Sequence, residues 1–359
     1  MEVWQSTGDS TSTAQQERRG VEYLRSLGQL TAALTQAQST AVLGRPIDAA
    51  SLTGAIAGVA EVDARLGDAL RTHDRWTGLR GKIETLSTAQ PATGQPAYDA
   101  YGEVTGLLLA LYGVVQENSD LVREPQADAY YLQDGVAKQL PEFLVTTGRF
   151  SDRALIVSRT LAQLSPNDRA SQVGQLFAAQ DAVSSPAQDL NDDLQAAVSV
   201  SESPTLGSHL FNLLDRLRIT MDAVDSSTFL ADGEITQIEI VALAALRASA
   251  VETVNPLYAS VLDELDKLIV TRLDKISSDR RIAIVALSLA VVLAITPILM
   301  LTVARLRTRR RPGPPGRHGR PEPEDSEAQA QSPPPNPGWS AGLALPAGPR
   351  ERERSGAAR

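Results

Sequence analysis

The chain has 359 residues, a formal net charge of −9 and no cysteine, which excludes a disulfide framework and a thiolate metal site. Its charge is unevenly divided: residues 1–281 carry 23 basic and 37 acidic side chains, a net −14, whereas residues 305–359 carry 11 and 6, a net +5. So acidic a body argues against nucleic acid as a partner, because holding phosphate requires a basic surface.

Residues 1–13 precede any apolar pattern and are expected to be disordered. From residue 14 to residue 281 apolar side chains recur at helical spacing, with little strand-like alternation, so the predicted class is all-α. The first helix is expected over residues 14–42, with Val21, Leu24, Leu27 or Gly28, Thr31, Leu34 and Gln38 on one stripe, and it stops near Gly44-Arg45-Pro46. A second follows Asp48 and carries Leu52, Ile56, Val59, Val62, Leu66 and Leu70. Residues 75–86 either continue it or form a short third helix, before a loop at 88–95. Residues 98–117, with Leu107, Leu108, Leu109, Leu111 and Tyr112, are the most apolar stretch of the domain and are expected at the centre of a helical bundle.

A short helix at 129–139 with Asp128 as its N-cap leads to Leu140-Pro141, where proline suits the first turn of a helix ending near Leu164. Ser165-Pro166-Asn167-Asp168 reads as the cap of a helix reaching about Val200, with Pro186 as a kink. Another helix is expected over 206–229. The last starts near Glu234, and its Val254, Tyr258, Val261, Leu265 and Leu268 alternate steps of four and three, the spacing of a coiled-coil seam. That seam, with Arg272, is the candidate relay element, packing within the bundle or against a second copy of the chain.

Residues 282–304 contain no charge. At about 1.5 Å per residue they span roughly 35 Å, enough for a transmembrane helix, and Pro297 would add a mild kink. Arg305, Arg307, Arg309, Arg310 and Arg311 crowd one flank, while Lys275, Arg280 and Arg281 on the other are interleaved with Asp274 and Asp279. The tail, 305–359, is therefore expected in the cytoplasm and residues 14–281 outside the cell membrane. The arginine cluster would also meet anionic lipid. Beyond Pro312 the Pro-rich composition predicts disorder, with PxxP spacings at Pro312 to Pro315 and Pro334 to Pro337. Arginine outnumbers lysine 30 to 4, a bias that fits a GC-rich bacterial genome.

Catalytic chemistry finds little support. The three histidines, His73, His209 and His318, have no metal-ligand spacing, and no metalloprotease, hydrolase-elbow, phosphate-loop or dinucleotide fingerprint occurs. Asp189-Leu190-Asn191-Asp192-Asp193 lacks the glycine and terminal glutamate of a calcium loop and reads as a solvated helix face. No enzyme activity, cofactor or metal is expected.

Three stretches carry a resemblance: Glu17-Arg18-Arg19-Gly20-Val21-Glu22-Tyr23-Leu24; Asp128-Ala129-Tyr130-Tyr131-Leu132-Gln133-Asp134 followed by Leu140-Pro141; and Leu262-Asp263-Glu264-Leu265-Asp266-Lys267-Leu268 with Arg272. Together they resemble the extracytoplasmic all-helical sensor domains of bacterial chemoreceptors and diguanylate cyclases, similar in style to nitrate- and nitrite-sensing helical bundles. The resemblance implies a membrane-proximal first helix, ligand contacts from Arg18 and Arg19 as anion partners, and hydrogen bonds from Tyr130, Tyr131 and Asp134. The residues by themselves also permit plainer roles: Tyr130 and Tyr131 as core residues with surface hydroxyls, and Arg18 as a solvated partner of Glu22. Such sensors have a membrane span before the domain and an effector after it. Met1 is accordingly expected to lie just after an upstream span, and the signal to pass to a separate effector protein. Two functions follow as expectations: a membrane-anchored extracytoplasmic sensor-like module, with the bilayer, a second copy and that effector as partners, or a scaffolding protein of the cell envelope whose bundle binds another protein.

Overall fold

The computed structural model describes residues 2–89, 93–121, 127–201, 206–225 and 237–308, and among these there is no strand. The helices are α1 (Glu2–Leu43), α2 (Ala49–Leu70), α3 (His73–Ala89), α4 (Gln95–Asn118), α5 (Ala127–Asp134), α6 (Leu140–Thr160), α7 (Pro166–Val200), α8 (Leu206–Asp225) and α9 (Gln237–Thr308). A π-helical turn, Gly135–Gln139, joins α5 to α6. The chain divides into two compact units, Met1–Leu293 and Ala294–Arg359.

Local chemistry explains the breaks. The Asp48 carboxylate accepts from the backbone N–H groups of Ala50 and Ser51 at 3.1 Å and starts α2, satisfying donors that the first turn leaves unpaired. Arg71, at φ 53°, adopts the left-handed conformation that ends α2, so α3 is a separate helix and not a continuation. Ser165 accepts from the N–H of Asp168 at 3.3 Å, with Pro166 in the first turn, and starts α7. Helix α7 runs through Pro186, and α9 runs through both Pro256 and Pro297. Helix α1 begins at Glu2 instead of residue 14, so residues 2–13, expected to be disordered, are helical. Helix α5 begins at Ala127, which places Asp128 inside the first turn instead of at the cap.

The centre of the first unit is α1, not α4. Tyr23, Leu24, Leu27, Leu30, Leu34 and Val42 are all fully buried, and α1 packs against α2, α4 and α6. Helix α4 keeps one face in solvent, where Gly106, Leu107, Ala110 and Gly113 are exposed. A run of consecutive leucines necessarily points to every side of a helix, so total apolarity did not distinguish a central helix from a peripheral one. Close approach serves α1 better: a Cβ at Gly148 of α6 would sit 2.5 Å from the Thr35 methyl, and one at Gly28 would sit 2.4 Å from the Tyr258 ring.

Helix α9 is the one helix among the described residues long and apolar enough to cross a membrane. Within the first unit Ile282, Val285, Leu289 and Val292 are exposed, and the Ser288 hydroxyl donates to the carbonyl of Val285 at 2.8 Å. Within the second unit residues 294–308 are helical, Ile295, Ile298, Leu299 and Met300 are exposed, and Thr302 donates to the Ile298 carbonyl at 3.0 Å. Hydroxyls that bond back to their own helix are tolerated in hydrocarbon, where a free donor would be costly.

Candidate functional site

Polar contacts lay α9 antiparallel against α1. Arg272 meets Glu17 at 3.2 Å, Arg18 meets Asp266 at 2.8 Å and Arg25 meets Asp263 at 2.7 Å. The Tyr258 hydroxyl donates to the Leu24 carbonyl at 2.8 Å, and Arg247 donates to the Thr35 carbonyl at 3.0 Å. The exposed pairs contribute at most about 1 kcal/mol each. The Glu17–Arg272 pair is different, because Glu17 is fully buried and removing one partner of a buried pair costs about 3–5 kcal/mol.

Between α1, α6 and α9 lies a cavity of about 530 Å³, with walls that include Ala32, Leu140, Leu144, Val251, Val254 and Leu262. That volume lies in the range of small-molecule sites, roughly 300–1,000 Å³. Thr31, Tyr112 and Tyr258 also line it. The Thr31 and Tyr112 hydroxyls lie 2.9 Å apart, and Thr31 is 2.8 Å from the Leu27 carbonyl. Burial raises both phenols well above their ordinary range, so they stay protonated. Arg25, Gln29, Gln36, Ser51 and Asn255 complete the polar part of the lining.

Two buried carboxylates tie neighbouring helices together. Asp152 of α6 accepts from Gln38 of α1 at 2.9 Å and from Ser39. Burial raises it above the usual carboxylate range, opposed by the Ser39 bond, by Arg247 and by the Gln38 bond. Asp63 of α2 accepts from Tyr23 and Thr72, each at 2.8 Å, and meets His73 Nδ1 at 2.9 Å. Among the described residues no group of three or more histidine and acidic side chains is placed to hold a metal ion.

The residues singled out from sequence fall in several places. Arg18 is engaged with Asp266 and not with Glu22, which pairs instead with Arg65 at 2.6 Å. Arg19 donates to Gln16 at 2.8 Å on the surface. Tyr130 is exposed and Tyr131 half-buried, their rings edge to face with centroids 5.6 Å apart. Asp134 accepts from Gln139 at 3.0 Å. Among the described residues no hydrogen bond, ion pair or ring contact joins Arg18 or Arg19 to Tyr130, Tyr131 or Asp134. Gln139 also donates to Asp193 at 2.5 Å, so the acidic stretch of α7 is not merely a solvated face.

In the seam, Val261 and Leu265 are fully buried within the single chain, Leu268 is half-buried against the core, and Arg272 bonds Glu17. Arg305 and Arg307 fall in α9; Arg309, Arg310, Arg311 and the PxxP spacings lie outside the described residues. Sequence reasoning missed Gly28, Tyr112 and Asp152 as site residues. A signal existed for their partners: Thr31 and Gln38 interrupt the apolar stripe of α1, where a polar residue requires a buried partner.

The chain matches no protein-family model, no curated protein and no solved structure.

Proposed function

We propose that the chain is a membrane-anchored sensor-like module, with residues 14–281 outside the cell membrane, residues 282–304 crossing it and the tail inside. A small molecule in the α1–α6–α9 cavity biases the position of α9, and a separate effector protein reads the change. The observation that carries this is Tyr258: it lines the cavity, rests on Gly28 of α1 and belongs to the same helix as the apolar segment. A ligand shifts an equilibrium only through differential contacts in two states, and a ring held in a glycine notch can be held or displaced by an occupant. Orientation is supported by the arginines that follow the apolar segment.

The test is amide hydrogen exchange on the full chain in lipid nanodiscs, with 5-fluoroindole as a probe of matching polarity. Exchange in residues 251–262 should slow with the probe, and Leu144→Trp, which fills the cavity, should remove the effect. Unchanged exchange in these residues, with the probe bound, would sink the sensor reading.

A scaffolding role is favoured by a different observation. Phe211 and Ile219 on α8 are 72% and 55% exposed, and large apolar side chains in water can mark a protein-binding face. Phe211→Ser would then release a partner protein while leaving the probe response of α9 intact.

A further inference from the structure

We infer that a second cavity, at the turn from α1 into α2, binds a small aliphatic monocarboxylate. It lies far from the Glu17–Arg272 pair: Ala41, in its wall, is roughly 36 Å along α1 from Glu17 at about 1.5 Å per residue. It therefore stands independently of the sensor reading. Gly44, at φ 74°, ends α1 and turns the chain toward Pro46, and Asp48 starts α2. With Ser87 of α3 and Thr93, this turn encloses about 590 Å³, within the roughly 300–1,000 Å³ of small-molecule sites.

Charge decides the class of ligand. Arg45 is the one charged side chain in the lining. Among the described residues its guanidinium makes no ion pair or hydrogen bond, and only its backbone N–H is engaged, by the Thr40 carbonyl. Carboxylates are not scarce, since residues 1–281 carry 37 acidic side chains against 23 basic ones, and Arg18, Arg25, Arg65, Arg80 and Arg272 each hold one. The nearest in sequence, Asp48, is outside the lining and turns its Oδ1 to the N–H groups of Ala50 and Ser51. Its charge offsets the positive end of α2, so selection rests on the guanidinium. Three hydroxyls accompany it. Ser87 gives its hydrogen to the Ile83 carbonyl at 3.0 Å, whereas among the described residues Thr53 and Thr93 have no side-chain hydrogen bond. One guanidinium beside two uncommitted hydroxyls is a donor set that suits carboxylate oxygens. A dianion would bring a second charge that no side chain in the lining answers. The rest of the lining is Gly44 and aliphatic side chains, among them Pro46, Ile47, Leu52 and Ile56, which reward methylene groups.

The experiment uses the full chain in phosphatidylcholine nanodiscs at low ionic strength, with protein-free nanodiscs as the partition blank. Fluorine NMR line broadening is followed for 6,6,6-trifluorohexanoate and for the neutral 6,6,6-trifluorohexanamide. Saturable binding of the carboxylate is expected, with the amide about threefold to fivefold weaker, the scale of one exposed ion pair. Added salt should weaken the carboxylate and not the amide. Arg45→Gln should remove the preference, whereas Arg75→Gln, at an exposed arginine outside the cavity, should leave it unchanged. Ala49→Trp fills the cavity from an exposed position and should abolish binding of both probes. Equal affinity for the two probes, or a preference that survives Arg45→Gln, would overturn the carboxylate assignment. Binding that survives Ala49→Trp, or no saturable binding of the carboxylate, would overturn the site itself.

Discussion

Gly28→Ala isolates the contact on which the link between α1 and α9 depends. In the interior of a helix, replacing glycine by alanine ordinarily stabilises a protein by about 0.5–1 kcal/mol, because glycine loses more backbone entropy on folding. At Gly28 the added methyl carbon would lie 2.4 Å from Tyr258 Cε1 and 2.8 Å from Cδ1. The ring must therefore leave its notch, with an overpacking cost of about 1–3 kcal/mol. Its hydroxyl would then leave the Leu24 carbonyl, which it meets at 2.8 Å, at a further cost of about 1 kcal/mol. The net expectation is a loss of roughly 1–3 kcal/mol, a fall of several degrees in Tm for a domain of this size. Gly54 of α2, where nothing lies within 4 Å of an added Cβ, is the matched control, and Gly54→Ala should gain about 0.5–1 kcal/mol. Thermal melts of the solubilised full chain, followed by circular dichroism, compare the two. If Gly28→Ala stabilised the protein as Gly54→Ala does, the ring would not be seated on α1, and the proposed link from cavity to α9 would fail.

Three further outcomes are expected. Leu265→Ala, at a fully buried position, should cost about 2–5 kcal/mol, whereas Asp263→Ala removes an exposed pair with Arg25 and should cost no more than about 1 kcal/mol; equal losses in urea melts would contradict the placement of the seam. Asp152 has a raised pKa, so its penalty is fully present above the folded value and disappears below the unfolded value of about 3.9. The stability of Asp152→Asn relative to the parent should therefore fall as pH drops from about 7 to about 4, and a flat or opposite trend in denaturant melts would refute burial as the dominant cause. Protease added to intact cells should digest residues 14–281 and spare the tail; release of a fragment from 305–359 alone would reverse the orientation.

The order of the helices, and those ends that local chemistry sets, were legible, whereas the start of α1 at Glu2 and the break between α2 and α3 at Arg71 were not. Asp48, Gly44 and Ser165-Pro166 act within a few residues of their own position, and each lies at the end or start of a helix. The relation of α9 to α1 was only half legible. Val261 and Leu265 had the period of a buried seam, but period cannot say what covers it, and the partner is α1, more than two hundred positions away in sequence. The site was least legible of all, for a reason particular to small residues. Gly28 shares a place with Leu27 on the stripe of α1, but its importance arises only because Tyr258 arrives against it from the far end of the chain. The tyrosine pair Tyr130 and Tyr131 stood out by residue type, yet the phenols that line the cavity, Tyr112 and Tyr258, were embedded in apolar stripes and read as core. They are indeed core by burial, and periodicity registers burial without saying which buried positions border a cavity.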